Sequence, residues 1–416
     1  MKKLGKYSIG MGDRFGHQGY AQLKAIIEAG KKGAGITPVW NKSNREHMII
    51  GTQPQDVRKE ADAVTKALGF TEPYFVDADH INLDTVDKFI SSSDFFTIDV
   101  ASYIGKRADD SKIGEFIEKA KKYTGRIEVP GIKNPVKCTL DQLTDLAENY
   151  LYAAQKAGEI YRKIEKAKGA GNFITEVSMD EVAKPQSPVD LFFILLMLGD
   201  EKIPVQTIAP KFSGRFNKGV DYVGDLDKFV IEFEEDLLVI DHAVKIFGLP
   251  SELKISIHSG SDKFALYPHI GSILNKHDKG VHLKTAGTTW IEEIIGLAEA
   301  GGEALNFALS IYIQALEKIE ELCAPYADVI DINTSLLPSG GEVRSWNSRK
   351  FASSLRHDQS NRDYNPNMRQ LVHVAYKLAA HEMDDFYRLL DEHKEIVSQC
   401  VFENMYERHI LRLFIR

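Results

Sequence analysis

Cysteine is scarce in this sequence: Cys138, Cys323 and Cys400 are the three present, far apart and outside any Cys-x-x-Cys spacing. That leaves neither a disulfide framework nor a thiolate metal cluster, and it fits a reducing compartment with buried thiols. No run reaches the roughly 20 apolar residues of a membrane span, and Met1–Gly12 lacks the apolar centre of a signal peptide. A cytoplasmic protein with no membrane partner is the expectation. Excess positive charge is missing as well: Lys and Arg total 52 against 60 Asp and Glu, a net charge of −8, so nothing favours nucleic acid as a partner. Also absent are a glycine-rich phosphate loop ending in Gly-Lys-Ser/Thr, a convincing dinucleotide glycine fingerprint and a Gly-x-Ser-x-Gly elbow. Neither repeats nor heptads nor low-complexity tracts occur.

What the 416 residues do contain, 43% of them hydrophobic, is enough to bury one large barrel with additions. Short apolar segments ending in polar or glycine-rich clusters alternate with longer segments of helical period, the pattern of parallel βα units. Strands are predicted at Tyr7–Gly12, Ala34–Val39, Tyr74–Ala78, Phe95–Asp99, Asn172–Ser178, Val205–Ile208, Lys254–His258 and Val281–Lys284, the eight that a closed barrel needs. Helices are expected at Gly19–Ala29, Gln55–Ala67, Leu140–Lys166, Pro188–Leu198, Asp225–Phe247 and Thr289–Ala300, with Gly69 and Gly248 among their stops. The fold class is therefore α/β, a TIM-like (β/α) barrel over residues 1–325 with a helical insertion near 104–170, followed by a mostly helical C-terminal region, 326–416, packed on it. The later part of the insertion reads as a long helical hairpin covering the site. A further apolar run, Val329–Asn333, breaks the count of eight. Ser345–Asn367 reads as a solvated loop rather than a substrate lid. Phe386, Tyr387, Phe402 and Tyr406 suit the face of a homo-oligomer or, equally, a packed tail.

In such a barrel the reacting groups stand at the carboxyl ends of the strands, so the polar residues just after each apolar run are the candidates. Three of those ends carry a histidine: His80, His258 and His282. Imidazoles with carboxylates suit a divalent Zn, Mn, Ni, Co or Fe ion with an open position for a hydroxy-ketone, although each could instead be a hydrogen-bonded core histidine. Proton removal and return need two acids in different surroundings. Asp79 and Glu181 are the expected pair, with Glu176 and Asp180 as close rivals. Arg14, Lys263 and Lys284 are placed to grip a carboxylate, with Asp13 beside Arg14 as a further substrate contact. A small-molecule sugar acid is the expected partner.

These stretches resemble the tagaturonate/fructuronate epimerases of bacterial hexuronate catabolism. The matching residues are Gly10–Gly16, Asp77-Ala78-Asp79-His80, Glu176–Glu181, Lys218–Tyr222, His258–Phe264 and His282–Thr288. The resemblance spans about residues 5 to 300. It implies a divalent-metal-dependent isomerase that inverts carbon 4 of a ketohexuronate, with a base at Asp79, a donor at Glu181 or a neighbour, and metal ligands at His80 and His258. For the third ligand it leaves His282 and the carboxylate of Asp221 open. Two alternatives stand beside it: a metal-dependent ketose 3-epimerase or aldose–ketose isomerase, and a non-catalytic sugar-acid binding protein.

Overall fold

Eight of the apolar runs pair as parallel strands in a computed structural model that describes residues 2–258, 262–285 and 288–415. In chain order the strands are β1 (Tyr7–Gly12), β2 (Ile36–Ser43), β3 (Phe75–Ile81), β4 (Phe95–Asp99), β5 (Gly125–Ile127), β6 (Val136–Cys138), β7 (Ile174–Ser178), β8 (Thr207–Ala209), β9 (Lys254–His258) and β10 (Val281–Thr285). β1, β2, β3, β4, β7, β8, β9 and β10 follow one another around the barrel, and β10 closes it by pairing with β1. β5 and β6 form a separate antiparallel hairpin. The predicted helices appear within two residues of their expected ends, and Gly248 closes its helix at φ 68°, a conformation glycine adopts without steric penalty.

Residues two apart on a strand share a face, which layers the barrel interior. Phe75, Phe95 and Ile174, with Val39 and Leu4, form a small apolar cluster of their own. Two residues further along the same strands come Asp77, Thr97 and Glu176, all buried. The barrel is thus apolar at its amino end and polar towards its mouth. A bulge between Ala78 and Ile81 interrupts β3, and His80 inside it has φ 52°, rare for a residue with a side chain. Regular pleating would send Asp79 and His80 to opposite faces; the bulge turns both towards the mouth.

Three expectations are corrected. The segment before β7 is not a helical hairpin over the site: it is the helix Asp110–Ala120, the β5–β6 hairpin and one 29-residue helix, Leu140–Lys168. That long helix packs on β4 and on Pro188–Asp200, and supplies no lining residue to the cavity described below. Val329–Asn333 is not a strand: Val329 ends the 3-10 turn Ala324–Val329, and residues 330–333 run on without strand pairing. Ser345–Asn367 contains the helix Ser348–Leu355, capped by Asn347.

While Met405, Ile410 and Leu413 pack into the barrel core, the helices from Gly302 to about Cys400 share a second apolar core with Phe15, Ile50 and the helix Thr288–Ala300. Phe386 lies fully buried there against Phe15, Trp290 and Phe307, so it belongs to a packed tail. Among the described residues no helix is long and apolar enough to cross a membrane.

Candidate metal and substrate site

At the mouth, His80 from β3, Asp180 just past β7 and His258 at the end of β9 bring one ligand atom each within 4.8 Å of one another. The two rings lie 5.0 Å apart. Asp180 Oδ1 is 3.1 Å from His258 Nδ1 and 3.9 Å from His80 Nε2. The other nitrogen of each ring faces a carboxylate, which can only accept: His80 Nδ1 lies 2.8 Å from Asp79 Oδ1, and His258 Nε2 lies 2.8 Å from Glu176 Oε1. The second nitrogen of each ring is thereby turned towards Asp180, bonded to it through a proton or, with a cation bound, free to offer its lone pair. Carboxylates behind imidazoles are the usual support of a metal-binding histidine, and two imidazoles with one carboxylate leave open coordination positions. The donor set fits a divalent cation.

One lysine organises the support. Lys284 Nζ, at 3% exposure, lies 2.8 Å from Asp77 Oδ2, 2.8 Å from Asp79 Oδ1 and 3.2 Å from Glu176 Oε1. The last two are the same oxygens that hold the histidines. Thr97 Oγ, 3.0 Å from Asp77 and 3.1 Å from Glu176, completes the cluster. Burial works to raise all three carboxyls, but Lys284 outweighs it at Glu176 and Asp79, which stay well below the usual carboxylate range. Asp77 loses that contest: burial, with Asp79 and Glu176 nearby, pushes it up to about 7. His258 is pressed down by burial but drawn up to about 9 by Asp180 and Glu176, so that in the absence of an ion a proton takes the cation's place.

The remaining predicted residues divide between this cluster and the scaffold. Glu181 lines the mouth cavity of about 600 Å³ together with Asp79, His80, Asp180, His258 and Lys284. His282 stands two residues below Lys284 on β10, bonded to Ser8 at 2.9 Å and packed on Phe95, and is not brought into the ligand group. Burial pushes it down to about 3, leaving it neutral. Asp221 is also held apart: its carboxylate accepts the N–H groups of Tyr222 and Ala265, joining two loops. Asp13 accepts the four N–H groups of Phe15, Gly16, His17 and Gln18 and so shapes the turn after β1. Arg14 bonds Glu46 and the carbonyl of His373, and Lys263 donates to the carbonyls of Asn217 and Val220. The motif segments 259–261 and 286–287 lie outside the described residues. Sequence reasoning passed over Arg45, Lys211, Lys218 and Tyr326, all in the cavity wall. Of these, Lys218 sat in a stretch that resembles the family.

A closed parallel barrel with convergent histidines and acids at the carboxyl ends of its strands defines a barrel enzyme. The sequence profile of the tagaturonate epimerase family matches residues 1–413, and the chain belongs to that family of isomerases. The tagaturonate/fructuronate epimerase of Thermotoga maritima is 27% identical over 420 residues, which take in 97% of this chain and 80% of that one. Two glycerol-complexed crystal structures of the fructuronate-tagaturonate epimerase of Cohnella laeviribosi share its fold. They match with TM-scores of 0.81 and 0.82 at 24% identity, over 98% and 100% of this chain and 82% and 83% of theirs.

Proposed function

We propose that the protein interconverts D-tagaturonate and D-fructuronate by inverting carbon 4, with a divalent cation held by His80, Asp180 and His258. The observation that carries this reading is the convergence of those three side chains, each imidazole backed by a carboxylate that Lys284 grips. When bound, a divalent cation supplies Lewis-acid polarisation of a ketone and its neighbouring hydroxyl. Membership of the family supports the sugar acid as substrate.

Carbon 4 is β to the carbon-2 ketone, so removal of an α-proton cannot invert it. Cleavage of the bond between carbons 3 and 4, rotation of the aldehyde fragment and re-addition can. The 4-hydroxyl must lose its proton on cleavage and regain one on re-addition. We assign that exchange to Asp79 and Glu181, the cavity-lining acids from two different strand ends. Lys284 keeps Asp79 ionised, the state a proton acceptor needs.

The test is turnover of a panel of ketohexuronates and ketohexoses followed by NMR in D₂O. The expected result is interconversion of the two uronates without deuterium at carbon, lost on chelation and restored by added divalent metal. Deuterium entering at a carbon next to the ketone would favour a 3-epimerase or an aldose–ketose isomerase instead. Stoichiometric binding without turnover would indicate a binding protein.

A further inference from the structure

The mouth cavity carries positive charge that the chemistry above leaves unused. Arg45, Lys211, Arg215, Lys218 and Lys284 all line it. Lys284 serves the carboxylates behind the histidines, and Arg215 pairs with Asp331 at 2.7 Å. Arg45 and Lys218 have no carboxylate within ion-pair distance among the described residues, yet they stand over one ring, that of Tyr326, at 5.7 and 5.8 Å from its centroid. An aromatic face steadies a cation without consuming its N–H donors, so both remain able to bind an anion.

The surroundings hold these two cations in place from behind. The carbonyls of Asn217 and Val220 accept from Lys263 Nζ at 2.9 and 2.7 Å, and that of Gly219 accepts from Arg369 Nε at 2.5 Å. Lys218 N–H donates to the carbonyl of Val329 at 2.8 Å, tying its loop to the turn that carries Tyr326. Arg45 rides on the helix Asn44–Ile50, whose capping Glu46 is gripped by Arg14 at 3.0 Å. Arg14 also lies over the ring of Tyr376 at 4.0 Å, and the Tyr376 hydroxyl is 3.3 Å from that of Tyr326. Arg14 and Lys263, two of the three cations expected from sequence to grip a carboxylate, are absent from the cavity lining and brace the pair that does line it, while the third, Lys284, lines the cavity.

We infer that Arg45 and Lys218, set on Tyr326, form the subsite for the carboxylate of the sugar acid. This rests on the function proposed above. A guanidinium and an ammonium together offer a carboxylate a bidentate pair and a point charge. In a ketohexuronate the acid is carbon 6, at the far end of the chain from the ketone, so this subsite and the His80–Asp180–His258 group take opposite ends. Cleavage between carbons 3 and 4 leaves the acid on the aldehyde fragment. The same two cations therefore retain that fragment while its carbonyl face turns.

The test compares metal-loaded wild type with the Arg45→Gln/Lys218→Gln double variant, using D-tagaturonate and the neutral ketohexose D-tagatose. Two lost charge-assisted contacts are expected to raise KM for tagaturonate on the order of a hundredfold, and the unretained aldehyde fragment to lower kcat as well. Calorimetric affinity for tagaturonate should fall in parallel, while binding of tagatose stays as it was. An unchanged KM and affinity for tagaturonate in the double variant, or an equal loss for tagatose, would overturn the subsite. If wild type binds tagaturonate without turning it over and the double variant does not bind, the subsite stands and the epimerase reading falls. If wild type itself binds neither sugar, the subsite falls.

Discussion

Lys284 is the side chain on which the most geometry converges. Its ammonium holds the two oxygens that orient His80 and His258, while burial opposes its own charge and three carboxylates sustain it. Replacing it by Met would leave the buried Asp77 with no counter-charge, and Asp79 and Glu176 with only the imidazoles of His80 and His258 to face. A loss of about 3–5 kcal/mol in unfolding free energy is expected for Lys284→Met, read by denaturant titration of the metal-free protein. The two proposed proton-transfer acids should separate by what else they touch. Asp79 bonds His80, so Asp79→Asn should weaken divalent-metal affinity by about 10–100-fold as well as lowering kcat. Among the described residues Glu181 makes no hydrogen bond or ion pair to a proposed ligand, so Glu181→Gln should lower kcat by about a hundredfold with metal affinity unchanged. Calorimetric metal titration beside steady-state kinetics distinguishes them, and an Asp79→Asn variant with normal affinity would detach Asp79 from the cation site.

The turn after β1 shows how an element can store pH dependence away from the mouth. Asp13 organises the turn through four backbone N–H groups, and Glu293 on the helix Thr288–Ala300 and Glu60 on Pro54–Ala67 face its charge. Burial, then Asp13, raises both: Glu60 to about 8 and Glu293 well above the carboxylate range. A carboxyl raised on folding keeps its proton longer in the folded chain, so its contribution is complete below the unfolded value near 4.5 and is lost as pH climbs towards the folded one. Stability should therefore fall between about pH 5 and 8, and Glu293→Gln should flatten that slope, as thermal unfolding across the range would record. A steeper slope in the variant would refute the assignment. At this scale much was legible in advance. Each barrel strand is a short apolar run closed by polar residues, and His80, His258 and Lys284 end such runs, so the sequence marked them. The bulge in β3 was not legible, because its backbone excursion at His80 depends on pairing with β4 and leaves no local signature. Asp180 and Glu181 are neighbours on a loop, and only the loop's path decides which meets the imidazoles. Asn347 is a helix cap in a polar stretch, where composition suggests loop and the packing of Phe351 and Leu355 decides for helix.

The whole molecule is held together across the boundary that length and pattern suggest near residue 325. We propose the barrel and the C-terminal helices as two parts, but their cores are not independent. Trp290, fully buried on a barrel helix, donates to the carbonyl of Val372 at 2.7 Å and packs on Phe386. Asp262, just beyond β9, has no exposure, and among the described residues its ion-pair partners come from the C-terminal region: Arg369 at 2.6 Å, His409 at 3.0 Å and His357 at 3.3 Å. Those partners, Arg369 foremost, hold its carboxyl well down against burial. Removing residues 326–416 would uncover the shared apolar core, strip Tyr326 from the cavity wall and leave a buried carboxylate with no counter-charge. The full chain is expected to unfold in one cooperative transition by both near- and far-ultraviolet circular dichroism. The 1–325 fragment should retain helix but lose near-ultraviolet signal and bind a hydrophobic dye, the behaviour of a chain with secondary structure and no fixed packing. A fragment that unfolds cooperatively and binds divalent metal with full-chain affinity would mean that the barrel needs no partner to set its mouth, and that the C-terminal helices act on the substrate alone.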